Sequence, residues 1–252
     1  MATGVCPECG TAATRSLEAV IDPATHRLPP LLAPRLVGSG LACLGWLFLV
    51  GGVMLAVNRV LISPPVAEAV PNLARFGAPL TLGTMIICGL LGWRPILQLW
   101  PTPGTVDPRR GRSGLGLLSI GLVLWSGSAV AIWSVGSSIL MLQIILVSGV
   151  FCLEGLRRIL IEVGTRSRLF RTDRIRRQRV RDLIAGILFI QLGVFLTWWE
   201  LLRVIGYVIT IVAALLVLVG LVYLCMNLLW IRQSLLSPPR RLREYLDPPS
   251  GP

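Results

Sequence analysis

Residues 204–231 read VIGYVITIVAALLVLVGLVYLCMNLLWI, a run of 28 residues without a charged side chain. A helix needs about 20 mostly apolar residues to cross the hydrocarbon core of a bilayer, so this run is long enough. Inside a bilayer an apolar segment must satisfy its own backbone hydrogen bonds, and a helix does so. We therefore predict a membrane-spanning α-helix over these residues.

Five further apolar runs precede this one and complete the organisation of the chain. The six predicted spans are Leu36–Asn58, Ala78–Trp100, Leu115–Trp133, Ser137–Leu160, Leu183–Trp199 and Val204–Ile231. The sequence thus predicts an all-α integral membrane protein, with a six-transmembrane-helix bundle over residues 36–231. Residues 1–35 are predicted to form a short, mostly irregular tail, and residues 232–252 a second tail.

The second apolar run is the least regular of the six. It contains the pair Arg94 and Pro95, and proline removes a backbone hydrogen-bond donor. We therefore expect the membrane helix to weaken near Trp93, with residues Ile96–Trp100 lying toward the interface.

The composition supports a membrane protein and excludes other classes. Hydrophobic residues make up 54% of the 252 residues and charged residues only 14%, whereas soluble domains are about 45–50% apolar and about 25% charged. An ordinary soluble domain, a disordered chain and a disulfide-rich module are therefore excluded. All 24 basic residues are Arg, which is typical of a GC-rich genome and favours a bacterial inner membrane.

The arginines lie overwhelmingly on one side of the predicted bundle. Only Arg59, Arg75 and Arg203 fall on the opposite side, which leaves 21 on the first side. Cytoplasmic segments of membrane proteins carry an excess of basic residues. Both termini are therefore predicted to be cytoplasmic.

The connection over residues 157–182 contains ten of these arginines against three acidic residues. Its candidate contacts with lipid headgroups or a partner are Arg166, Arg168, Arg171, Arg174, Arg176, Arg177, Arg179 and Arg181. Such a segment can rest on anionic headgroups or dock on an acidic partner. No Tyr or Trp is interleaved for stacking on bases, so nucleic acid is not favoured.

The N-terminal tail contains Cys6-Pro7-Glu8-Cys9-Gly10, a CPxCG motif. This motif resembles one knuckle of a zinc ribbon, in which two thiolates two residues apart bind one Zn²⁺ from a tight turn. A zinc ribbon has two such knuckles, but this chain has one. The resemblance covers five residues and implies that Cys6 and Cys9 are metal ligands.

The rest of a four-ligand zinc site has several candidate sources. His26 and Asp22 could supply the third and fourth ligands from the same tail. Alternatively, two copies of the chain or an unidentified cytoplasmic protein could share the site, or the motif could be a metal-free remnant. The other four cysteines lie in the predicted spans, where free Cys usually behaves as a small apolar residue.

Glu154 is the main candidate for a transport site, because ionisable residues inside a membrane are costly and often functional. It would need Gln143 or Gln191 to line a polar route. The alternative is an ion pair between Glu154 and Arg157 or Arg158, at helical spacing. Small residues four apart, at Gly52/Ala56 and Gly127/Ala131, and the membrane amides, including Asn227, are expected to serve packing and interhelical hydrogen bonds.

The sequence therefore favours a non-enzymatic membrane protein whose cytoplasmic tail or loop binds another protein or a second copy. A small transporter or channel is the alternative. The chain contains no HExxH motif and no Walker A loop, so an enzymatic role has no identifiable centre.

Overall fold

The structure is a computed structural model that describes residues 31, 33–61, 68–69, 72, 76–100, 108–135, 139–164 and 179–236. These residues form six long α-helices and contain no strand. The helices are α1 (Pro34–Leu61), α2 (Gly77–Leu99), α3 (Pro108–Val135), α4 (Ile139–Val163), α5 (Val180–Leu196) and α6 (Arg203–Leu236). A 3₁₀ turn at Glu200–Leu202 connects α5 to α6.

Four of these helices, α1, α2, α3 and α6, contain segments long and apolar enough to cross a membrane. The predicted class, an all-helical membrane protein, is therefore supported. The remaining two helices are α4 and α5. α4 carries Glu154, Arg157 and Arg158 toward its end, and α5 has only 17 residues. A membrane crossing by α4 and α5 stays a prediction.

Each predicted span overlaps one helix, but α3 is longer than its predicted span, and the weakening predicted for α2 near Trp93 was wrong. α3 begins at Pro108 rather than near Leu115, because proline is well suited to the first position of a helix. α2 continues through Pro95 to Leu99. Ile96 and Leu99 of its last turns are almost fully buried against the other helices, and the position of residues Ile96–Trp100 toward the interface stays a prediction.

The six helices contact one another in a closed ring. Each helix packs against the next along the chain, and α6 packs against α1. The α1–α6 contact is antiparallel, since Gly38 faces Arg232 whereas Gly52 faces Leu221. The two ends of the described bundle, the start of α1 and the end of α6, are therefore neighbours.

The main apolar core lies toward one end of the helix bundle. It includes Val37, Leu41 and Leu44 of α1 and, from the other helices, Ile96, Leu99, Leu118, Leu156, Leu183, Leu228 and Ile231. At this end α1, α3 and α5 begin and α2, α4 and α6 end. Ten of the twelve arginines in the described residues lie within about two turns of it. We call it the arginine-rich end.

Candidate functional site

Glu154 forms an ion pair with two arginines of its own helix. Arg157 donates two hydrogen bonds to the carboxylate, from Nε to Oε2 and from Nη2 to Oε1, both at 2.6 Å. Arg158 Nε donates a third to Oε1 at 3.2 Å. Both carboxylate oxygens are therefore engaged, and the Glu154 side chain is only 25% exposed.

The second of these arginines also connects α4 to α3. Arg158 Nη1 donates a hydrogen bond to Ser113 Oγ at 3.1 Å, and the Ser113 hydroxyl donates to the carbonyl oxygen of Arg110 at 2.9 Å. The chain of contacts thus runs from Glu154 to the first turns of α3. Its geometry fits a clamp between two helices, with each polar group partnered.

Close contact between the helix backbones underlies this clamp. Gly114 and Gly155 face each other, and one turn or two further along Gly121 lies against Cys152 and Ser148. Small residues allow two membrane helices to approach closely enough for extensive van der Waals contact. The contacts of Glu154, Arg158 and Ser113 are therefore made where α3 and α4 pack closely together.

The structure does not bring the predicted transport residues together. Gln143 precedes Glu154 by 11 residues on the same helix, which corresponds to about 16 Å along the axis. Gln191 lies in α5, one turn beyond Ile187, whose side chain faces Gly149 of α4. It is therefore also well over a turn from the level of Glu154. Gln143 and Gln191 are both partly buried.

Asn227 behaves differently from the sequence prediction. It is completely buried in α6, yet neither atom of its side-chain amide has a hydrogen-bond partner within the described residues. The interhelical hydrogen bond expected for Asn227 is therefore absent there. A buried polar group without a partner is unusual in a folded protein and destabilises it.

The predicted zinc ligands Cys6, Cys9, Asp22 and His26 lie outside the described residues. The residues that are described contain no group of three or more side chains suited to holding a metal ion. Cys43, Cys88, Cys152 and Cys225 are free thiols on the helices, three of them buried and Cys43 half-buried. This placement agrees with the packing role predicted for these four cysteines.

The arginine-rich connection is described only at its end. Arg166, Arg168, Arg171, Arg174, Arg176 and Arg177 lie outside the described residues, whereas Arg179 and Arg181 are exposed at the start of α5. Both belong to the arginine-rich end. The contacts predicted for the whole segment stay a prediction.

The sequence reasoning missed one polar site. An open cavity of about 240 Å³ at the surface of the bundle is lined by Ser39, Ala42, Cys43, Arg94, Gln98 and Arg232, from α1, α2 and α6, and both arginines are exposed. From the sequence, Arg94 is interpreted as part of an irregular helix and as one of the 21 arginines on the predicted cytoplasmic side. The available signal was an arginine inside or beside each of two apolar runs, but nothing in the sequence pairs α2 with α6 across α1.

These features define a helical membrane protein with a basic end and an apolar core. No protein-family model, no curated protein and no solved structure matches the chain. The function therefore has to be argued from the residues themselves.

Proposed function

We propose that this chain is a non-enzymatic integral membrane protein whose cytoplasmic segments bind another protein or a second copy of the chain. In this proposal six helices span a bacterial inner membrane and both termini are cytoplasmic. The clustering of arginines at the end where α1 begins and α6 ends supports that orientation.

One observation carries the proposal: Glu154, the carboxylate best placed for transport, is engaged by Arg157 and Arg158 of its own helix. A site that binds and releases a proton or cation needs free carboxylate oxygens and a polar route. Here the neighbouring core is built from leucines, among them Leu153 and Leu156 on either side of Glu154. The engaged carboxylate and the leucine core favour a structural role for the membrane helices. The cytoplasmic segments are then the parts of the chain that would bind a partner.

A small transporter or channel stays the second candidate, because Glu154 is partly exposed and Gln143 and Gln191 are only partly buried. In that case the described arrangement would be one state of a moving protein, and the Arg157 pair would open during the cycle.

The proposed interaction would use the CPECG tail, the arginine-rich connection, or both. Cys6 and Cys9 have the donor chemistry of zinc ligands, and Asp22, His26 or a second knuckle from a partner would complete four-fold coordination. The start of α1 lies next to the end of α6, so the two tails are attached to the bundle at neighbouring points. A partner could therefore contact both tails at once.

Native mass spectrometry of the full chain, released gently from its own membrane, tests this proposal. It reports copy number, bound metal and any co-purifying chain in one spectrum. We expect a dimer or a complex with a second protein, and zinc that is lost in the Cys6→Ser, Cys9→Ser variant but kept in Thr11→Ala. A metal-free monomer without a partner would overturn the proposal and turn attention to transport.

A further inference from the structure

We infer that the cavity between α1, α2 and α6 binds the headgroup of an anionic phospholipid. The ligand chemistry is a phosphate diester with a nearby hydroxyl, as in a glycerol headgroup. The inference rests on how the cavity is built, on its charge, on one unpartnered amide oxygen and on its position in the bundle.

Two glycines on either side of Ser39 bring the flanking helices together. A Cβ on Gly38 would lie 3.3 Å from Arg232 Cγ of α6, and a Cβ on Gly40 would lie 3.2 Å from Gln98 Cβ of α2. Because α1 has no side chain at these two positions, both neighbours approach it closely. Arg232 and Gln98 are thereby placed on either side of Ser39.

The charged side chains described around the cavity are positive. Arg94 and Arg232 line it, and no acidic side chain among the described residues does. Within the described residues neither guanidinium has an ion pair or a side-chain hydrogen bond, in contrast to Arg157. The planar guanidinium group matches the oxygens of a phosphate, and basic pockets between membrane helices bind anionic headgroups.

One residue that lines the cavity, Gln98, has an oxygen atom that needs a hydrogen-bond donor. Gln98 Oε1 is buried and has no hydrogen-bond partner among the described residues. The Ser39 hydroxyl already donates to the carbonyl oxygen of Leu36 at 2.9 Å, so its oxygen can also accept a hydrogen bond. A ligand that carries a hydroxyl group as well as an anionic phosphate satisfies both arginines and both oxygens.

The position of the cavity favours a lipid over free phosphate. It lies at the arginine-rich end, within two turns of the start of α1, where headgroups of the proposed cytoplasmic leaflet would be. From Ser39 and Cys43 the same face of α1 continues as an exposed apolar stripe of Trp46, Val50, Val53 and Val57. An acyl chain can lie along this stripe while the headgroup occupies the cavity.

The test is a lipid titration of the full chain by native mass spectrometry. Phosphatidylglycerol, zwitterionic phosphatidylethanolamine and inorganic phosphate are the three probes. We expect phosphatidylglycerol to bind at least tenfold more tightly than phosphatidylethanolamine, and inorganic phosphate not to displace it at equal concentration. Replacing both arginines (Arg94→Gln, Arg232→Gln) should weaken phosphatidylglycerol binding about 25-fold, or about fivefold for each arginine.

Two further variants keep the test independent of folding. Gln98→Glu is nearly isosteric and adds a negative charge to the cavity that the two arginines line, so it should abolish the preference for phosphatidylglycerol. Its melting temperature should not fall, because the new carboxylate shares the cavity with two guanidinium groups. Arg112→Gln removes an exposed arginine from the same end but outside the cavity, and should leave binding within twofold. Three results would overturn the inference. They are unchanged phosphatidylglycerol binding in Gln98→Glu, a loss of binding in Arg112→Gln as large as in the Arg94→Gln, Arg232→Gln variant, and displacement of the lipid by inorganic phosphate.

Discussion

Gly114 and Gly155 lie so close across the α3–α4 contact that a Cβ on Gly155 would be 2.5 Å from the carbonyl oxygen of Gly114. Because the obstructing atom belongs to the backbone, no side-chain rotation can relieve the clash. We expect Gly155→Ala to lower the free energy of unfolding by about 1–3 kcal/mol, the usual range for overpacking. Thermal unfolding in detergent, followed by circular dichroism, measures the loss.

Gly116 provides a matched control on α3, two residues after Gly114. A Cβ on Gly116 would meet no atom of the described residues within 4 Å, so Gly116→Ala should leave stability unchanged or raise it slightly through helix propensity. Gly114→Ala, by contrast, should destabilise as Gly155→Ala does. Equal effects of Gly114→Ala and Gly116→Ala would show that the two helices do not pack as described.

The Glu154 ion pairs predict an order of coupling energies. Arg157 makes two hydrogen bonds to the carboxylate at 2.6 Å, whereas Arg158 makes one at 3.2 Å. Double-mutant cycles that combine Glu154→Gln with Arg157→Gln or Arg158→Gln should therefore give the larger coupling for Arg157. We expect roughly 1 kcal/mol or less for either pair, because all three side chains are partly exposed.

The Glu154→Gln variant also distinguishes the proposed interaction protein from a transporter or channel. If Glu154 serves only as a clamp, Glu154→Gln lowers stability but leaves proton and cation flux in proteoliposomes at the wild-type level. A flux that depends on Glu154 would support the transporter hypothesis instead, provided that Arg157→Gln, with a similar stability loss, does not abolish it.

Asn227 predicts a variant that is more stable than the wild type. Its buried amide atoms have no partner within the described residues, and an unsatisfied buried polar group costs about 1–3 kcal/mol. Asn227→Val should therefore raise the melting temperature, whereas Asn227→Asp, of nearly the same shape, should lower it by burying a charge. Destabilisation by Asn227→Val would indicate that the amide has a partner in the native membrane.

The number of membrane crossings can be decided with two cysteine substitutions, introduced one at a time. In a Cys6→Ser, Cys9→Ser background, Ser167→Cys lies between α4 and α5 and Ala67→Cys between α1 and α2. If all six helices cross, a membrane-impermeant thiol reagent labels Ala67→Cys in intact cells and Ser167→Cys only in inverted vesicles. If α4 and α5 do not cross, both positions are labelled from outside.

Individual residues show how far the sequence could predict the packing. Gly52 and Gly127 have the same small-residue spacing, yet a Cβ on Gly52 would clash with Leu221, whereas one on Gly127 would meet no atom of the described residues within 4 Å. Close packing within the bundle is therefore found at Gly52 but not at Gly127, where the same spacing fits a contact with a second copy of the chain equally well. The spacing describes one helix and carries no information about which neighbour lies against it.

The ion pairs of Glu154 with Arg157 and Arg158 could be predicted from the sequence, because residues three and four apart on a helix are neighbours. The contact between Arg158 and Ser113 was not, since it depends on α3 and α4 approaching at Gly114 and Gly155.

The sequence alone determined that the chain is helical and apolar, where its helices lie, and how its arginines divide. These properties are local: apolar length and backbone hydrogen bonding act within one segment. Only the tertiary structure decided that α6 closes on α1, and thus that Arg94 and Arg232, far apart in sequence, line one cavity. That arrangement depends on which helix surfaces fit together, and surface fit is a property of pairs of helices.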